Sequence, residues 1–230
     1  MTNADDVRNP KEDARALGWN PIEHYKEIKV AEAYDAIRFK SLAGRIFDAL
    51  EKWSVKRVFK DVPQGTHVID CPCGTGRMAE LLLDMGYHVT GVDISPAMLD
   101  VAKRKVSRFG GSFETLVTDA RQLNSLGKSF GAALCARVLM HFPLSEQVEF
   151  LKGVASVTHG PIAFTQSYSS AYQRMRRRIK SVLSRHAPAF YPINEAELQE
   201  LLRRAGLREV RRARAMPLIS ESVVVLAEKE

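Results

Sequence analysis

Two carboxylates, Asp70 and Asp93, end two short apolar runs, and between them lies the glycine turn Cys73-Gly74-Thr75-Gly76. Glycines in such a turn let backbone approach a ligand and leave the N–H groups at a helix start facing it. A carboxylate at the end of the second run suits a ribose, whose hydroxyls are donors. The spacing from Gly76 to Asp93 is close to the roughly twenty residues that a dinucleotide fingerprint places between its glycines and its acid. A nucleotide-like ligand is therefore expected over residues 67–99, the stretch around which the rest of the chain is organised.

Two cofactor chemistries compete for that turn. A dinucleotide site asks for G-x-G-x-x-G, and the third glycine is missing here. The run Asp70-Cys-Pro-Cys-Gly-Thr-Gly-Arg77, followed by Gly91-Val-Asp-Ile-Ser95 and Ser95-Pro-Ala-Met-Leu99, resembles motif I and the following segment of the class I methyltransferases that use S-adenosylmethionine (SAM). Pro72 stands where that family usually has its first glycine, a variant some members carry. The resemblance implies that Asp70, Pro72, Cys73, Gly74, Gly76, Arg77, Asp93, Ile94 and Met98 surround SAM, which leaves as S-adenosylhomocysteine (SAH). A glycine turn with no cofactor is the plainer alternative.

Further candidates follow the next strands. Asp119-Ala120, after a run over 113–118, matches the family's adenine-side pair; Asp119 alternatively caps a short turn. Arg137 and His141 follow the run over 132–136, at the strand edge where open α/β sheets bind ligands. His141 is a candidate general base or a loop anchor, and Arg137 either steadies an anionic acceptor or pairs with a carboxylate inside the site. Tyr168, beyond the run over 162–165, completes the catalytic candidates. By resemblance, Tyr34 and Arg45 on N-terminal helices face the cofactor, Arg45 its carboxylate; both also fit as ordinary helix surface.

The elements that must position these groups can be read along the chain. Residues 1–21 are polar and read as a flexible arm. From Ile22 to about residue 60, helical spacing through Tyr25, Ile28, Ala33, Ile37, Ala43, Ile46 and Leu50, with a break at Gly44, predicts a helical cap. By the same resemblance, residues 61–230 are expected to form the SAM-binding domain. Its helices are expected over 78–85, from Ser95-Pro96 to about 108, from Ser145 to about His159, and after the Asn194/Glu197 capping box. Two last strands are read over 207–215 and 222–227. With these elements the resemblance implies an α/β, doubly wound fold: a mostly parallel seven-stranded sheet with helices on both faces and a C-terminal antiparallel hairpin strand. A basic amphipathic helix is expected as an insertion over 169–190, carrying Arg174, Arg177, Arg178 and Arg185 off its apolar stripe.

Composition bounds the partners. The chain has 230 residues, 45% of them apolar, and a formal net charge of +7; twelve arginines and lysines face four glutamates between Arg174 and Arg214. That segment serves an anionic acceptor, a peripheral membrane contact, RNA, or simple solvation. Three cysteines are too few for a disulfide framework, and Cys71-Pro-Cys73 lacks a second pair for zinc, so no metal is expected. With no eighteen-residue apolar run and a polar N-terminus, a soluble, cytoplasmic protein is expected. Tetrads of amino-methylating nucleic-acid enzymes, a cytosine-C5 cysteine motif and a catechol-type metal triad are all missing. The acceptor expected is a small molecule, sugar or lipid-linked compound, methylated on oxygen or nitrogen. An RNA methyltransferase is the alternative, and a SAM binder without turnover or a dehydrogenase stands behind both.

Overall fold

Strands β1 (His67–Asp70), β2 (His88–Asp93), β3 (Phe113–Val117), β4 (Ala132–Cys135), β5 (Ile162–Ser167), β6 (Leu207–Arg214) and β7 (Ser222–Lys229) join in one sheet of order β3-β2-β1-β4-β5-β7-β6. This computed structural model describes residues 41–168, 191–214 and 222–230. The arm expected over 1–21, the cap residues before 41 with Tyr34, and the basic helix expected over 169–190 lie outside them. The first five strands run parallel, in the order β3-β2-β1-β4-β5, and β7 pairs antiparallel with both β5 and β6. One antiparallel strand in an otherwise parallel sheet is what the sequence predicts.

A sheet covered on both faces needs strands that are apolar on both sides. Alternate residues therefore feed separate cores. Val68, Leu134, Ala163, Val224 and Leu226 pack on one face with helices α1 (Leu42–Val58), α2 (Arg77–Asp84) and α3 (Pro96–Lys105). Ile69, Cys135, Phe164, Val223 and Val225 pack on the other with α4 (Leu144–Val157) and α5 (Glu195–Ala205). Truncating a fully buried residue such as Leu82 or Leu151 to alanine should cost about 2 to 5 kcal/mol.

Local chemistry sets the helix starts. Ser95 accepts from Met98 N–H with Pro96 at the first helical position, and Asn194 and Glu197 form a reciprocal capping box. Three expectations need correction. The break at Gly44 is absent: Ser41 caps α1 by accepting from Gly44 N–H, so Gly44 lies in the first turn. The apolar face expected through Ala43, Ile46 and Leu50 is rotated as well, since Ile46 is exposed and the buried residues of α1 are Glu51, Ser54, Val55 and Val58. That face packs across β6 and β7, so the sheet rather than propensity decides which side turns inward. The helix expected from Ser145 begins at Leu144, with Pro143 as its N-cap and no side-chain cap bond.

Candidate active site

A cleft opens at the carboxyl ends of β1, β2 and β4, which the register places side by side in the middle of the sheet. At its base β1 passes through the cis peptide Cys71–Pro72 into the glycine turn. Gly74 and Gly76 both have positive φ, at 53° and 77°. Gly76 must also stay bare, because a Cβ there would lie 2.9 Å from Ala102 of α3. Gly76 thus fixes how closely α2 and α3 pack, while Gly74, Cys73 and Pro72 line the cleft.

Asp93 ties this turn to the end of β2. Its Oδ2 accepts from Gly74 N–H at 2.8 Å and its Oδ1 from Ser95 N–H at 2.9 Å. Burial raises its carboxyl above the ordinary value, opposed by backbone N–H groups of Ser95, Gly74 and Ile94. Among the described residues no cation forms an ion pair with it, so the carboxylate is held by dipoles alone. Asp70 lies deeper: it is completely buried, and burial pushes its carboxyl up to about 7 despite the Cys73 thiol and Arg77 nearby. It is not among the cleft-lining residues, whereas Asp93, Ile94 and Met98 are. Burial likewise pushes the thiols of Cys71 and Cys73 up, which leaves them protonated and unreactive.

Asp119 and Ala120 reach the same cleft from the end of β3. Asp119 caps the following 3-10 turn by accepting from Arg121 N–H at 2.9 Å, and the Arg121 guanidinium holds its carboxyl below the ordinary value. The cap and the cleft position are thus compatible uses of one residue. Thr118 and Arg121 beside it also line the cleft, as do Val138, Phe142, Glu146 and Phe150 on the opposite wall.

That wall follows β4. Arg137 adopts φ 61°, a left-handed conformation rare outside glycine, and its N–H donates to Thr165 Oγ at 2.5 Å. Its guanidinium lies 5.0 Å from the Phe47 ring and 3.6 Å from Glu51 Oε2, both on α1. Arg77 is held more tightly, 2.5 Å from Asp48 Oδ1 and 2.5 Å from Glu51 Oε2. Among the described residues, the three arginines lining the cleft all face carboxylates: Arg77 and Arg137 those of α1, Arg121 that of Asp119. His141 lines the cleft from a short 3-10 turn, Leu139–His141, half-buried. Behind it the buried Gln166 donates to Gln147 Oε1 at 2.7 Å, and Gln147 donates to Phe142 C=O at 2.8 Å. This relay fastens the His141–Phe142 backbone to β5.

Two candidates stand apart from the cleft. Arg45 is exposed in the first turn of α1 and is not among the lining residues. Tyr168 donates to Glu195 Oε2 at 2.9 Å beneath the Arg214 guanidinium, also outside the lining. Sequence reasoning missed Asp48, Glu51, Thr165 and the Gln147/Gln166 relay. The one available signal was that Glu51 falls at helical spacing with Ser54, Val55 and Val58, which marks it as inward-facing. The rest depend on strands distant in sequence.

The chain is similar to known proteins in both sequence and fold. A family described as a methyltransferase domain matches residues 68–160. A ubiquinone biosynthesis O-methyltransferase of Methylocella silvestris is 33% identical over 78 residues, 34% of this chain and 30% of that protein. Its counterpart in Xanthomonas axonopodis pv. citri is 28% identical over 159 residues, 64% of each chain. The chain thus spans about a third to two thirds of the length of these curated relatives. The fold is shared with the SAH-bound crystal structure of magnesium protoporphyrin IX methyltransferase from Synechocystis PCC 6803, at a TM-score of 0.68 and 20% identity over 83% of this chain and 88% of that one.

Proposed function

We propose, from the premise that this chain belongs to the class I, Rossmann-like SAM-dependent methyltransferases, that it binds SAM in the cleft and transfers its methyl group to a small-molecule acceptor. The observation that carries the assignment is the Asp93 carboxylate, held at the end of β2 by Gly74 and Ser95 N–H groups with no described cation paired to it. Its remaining acceptor capacity suits two ribose hydroxyls. Because the arginines of the cleft already face carboxylates, the site favours a cation over the pyrophosphate of a dinucleotide.

When bound, SAM supplies a methyl group on a positively charged sulfur, ready for in-line displacement. The chain's own residues have positioning tasks, which in such a reaction provide most of the acceleration. Asp93 orients the ribose, Asp119 and the Ala120 backbone meet the base edge, and Ile94, Met98, Val138, Phe142 and Phe150 exclude water from the ring. His141, on the β4 side, takes the acceptor's proton where the nucleophile is a hydroxyl or protonated amine. Arg137 holds the acceptor side of the cleft, and Tyr168 steadies the end of β5 from outside it.

A nucleic-acid acceptor finds little support in the described part of the basic segment. Arg203 pairs with Glu200, Arg208 with Glu228, Arg211 with Asp61, and Arg212 with Glu195 and Glu209. These pairs neutralise that surface locally. Incubation with methyl-labelled SAM and fractionated cell extract tests the function: label should enter a low-molecular-weight acceptor, in polar or lipid fractions, with wild type but not with Asp93→Ala. Label confined to RNA would overturn the acceptor class, and no transfer to any fraction would overturn the activity.

A further inference from the structure

Glu51 is the least expected charge in the structure. It sits mid-helix on α1, 1% exposed, 26 residues before the glycine-turn arginine it binds. Its Oε2 lies 2.5 Å from Arg77 Nη2 and 3.6 Å from Arg137 Nη1, while its Oε1 is buried with no hydrogen-bond partner among the described residues. One carboxylate thus bridges the guanidinium groups of two cleft-lining residues, one after β1 and one after β4. Glu51 does not line the cleft, and neither does Asp48, which takes the other edge of Arg77. The arrangement puts two arginines in the lining of the cleft and their counter-charges on residues outside it.

A buried charge without its partner is costly, so the arrangement needs a reason beyond holding α1. SAM and SAH provide one, since they share the same nucleoside and amino-acid skeleton and differ by a methyl group and one positive charge. We propose that Glu51 is a specificity-determining residue: by cancelling the charge of Arg77 and Arg137 from behind, it lets the cleft prefer the cationic cofactor over its neutral product. The inference rests on SAM being the ligand. At an effective dielectric near 20, a unit charge roughly 8 to 15 Å from the sulfonium changes SAM binding by about 5- to 30-fold and leaves SAH nearly untouched. A residue that only braced the helix would weaken both nucleosides alike.

The test is the ratio of SAM to SAH dissociation constants, measured by calorimetry on folded protein checked by thermal unfolding. We expect Glu51→Gln to shift the ratio toward SAH by roughly 5- to 30-fold, Glu51→Asp to leave it near wild type, and Glu51→Gln combined with Arg137→Gln to bring it back. Arg137→Gln alone should shift it the other way, toward SAM, so the inference remains testable even if Glu51→Gln does not fold: an Arg137→Gln ratio that does not move toward SAM overturns it. An unchanged ratio in Glu51→Gln, or no difference between Arg137→Gln and the double variant, overturns the inference while SAM binding itself stands. A wild-type chain that binds neither nucleoside would overturn the cofactor assignment and the inference with it.

Discussion

The two walls of the cleft are built on opposite plans. At the ends of β1, β2 and β3 the side chains are acids, and most of what orients them lies within a few residues or in the adjacent glycine turn: Asp93 with Ser95 and Gly74, Asp119 with Arg121. At the ends of β4 and β5 the candidate side chains are Arg137 and His141, fastened by Thr165, Gln166 and Gln147, with Arg137 faced by Glu51 from α1. A wall made of local bonds keeps its shape when the rest of the protein varies. A wall made of long-range bonds holds its residues only while β5, α1 and α4 stay in place, which makes it the natural place for acceptor specificity to change.

Breaking the acidic wall should have the largest effect. Asp93→Ala removes the carboxylate proposed to accept from two ribose hydroxyls, and at roughly 1.5 to 3 kcal/mol per charged hydrogen bond we expect SAM binding at least ten- to hundredfold weaker. The same change frees Gly74 and Ser95 N–H groups, so the melting temperature should fall too. If affinity is unchanged in a folded Asp93→Ala, the acid is only a turn clasp.

Loosening the backbone of the opposite wall, with the charges of Arg137 and Glu51 kept, should separate turnover from cofactor binding. Thr165→Val leaves the Arg137 N–H without the acceptor that supports its left-handed backbone, at a cost of about 1 to 3 kcal/mol. Activity with the true acceptor should drop while the SAM dissociation constant stays within about twofold, since the acidic wall is untouched. A parallel loss of SAM affinity would mean that the two walls are one unit.

This contrast also explains what could be read from the sequence. The strands themselves, the glycine turn, Asp93, Asp119 and the Asn194 capping box were legible because each is written in a window of a few residues. Glu51, Thr165 and Gln166 were not, because a buried polar residue announces itself through a partner elsewhere in the chain, and periodicity carries no information on partners. The face of α1 was misread for the same reason: Ile46 and Leu50 are apolar, yet contact with β6 and β7 turns Glu51 and Val55 inward.

Asp70 sharpens the comparison from inside the acidic wall. A carboxyl with a folded value near 7 and an ordinary value of 3.8 binds more protons folded than unfolded between those limits, so stability should fall as pH rises from about 4 to 7. The change should be on the order of 1 kcal/mol or more in denaturant titrations at pH 5 and pH 7. Asp70→Asn, which cannot ionise, should flatten that slope; an equal slope in the variant would assign it to other groups.

The smallest effect belongs to the surface. Arg208→Gln breaks an exposed pair with Glu228 on the β6–β7 hairpin and should change stability by less than about 0.5 kcal/mol, with no change in SAM affinity. A weakened SAM site in that variant would show that the hairpin communicates with the cleft.

The central claim is that Asp93 and the glycine turn form a SAM site. Calorimetric titration of the wild-type chain and of Asp93→Asn with SAM and with NAD tests it most directly. We expect one SAM per wild-type chain, binding at least tenfold weaker in Asp93→Asn, and no heat from NAD with either protein. NAD binding, or a SAM affinity indifferent to Asp93→Asn, would contradict it.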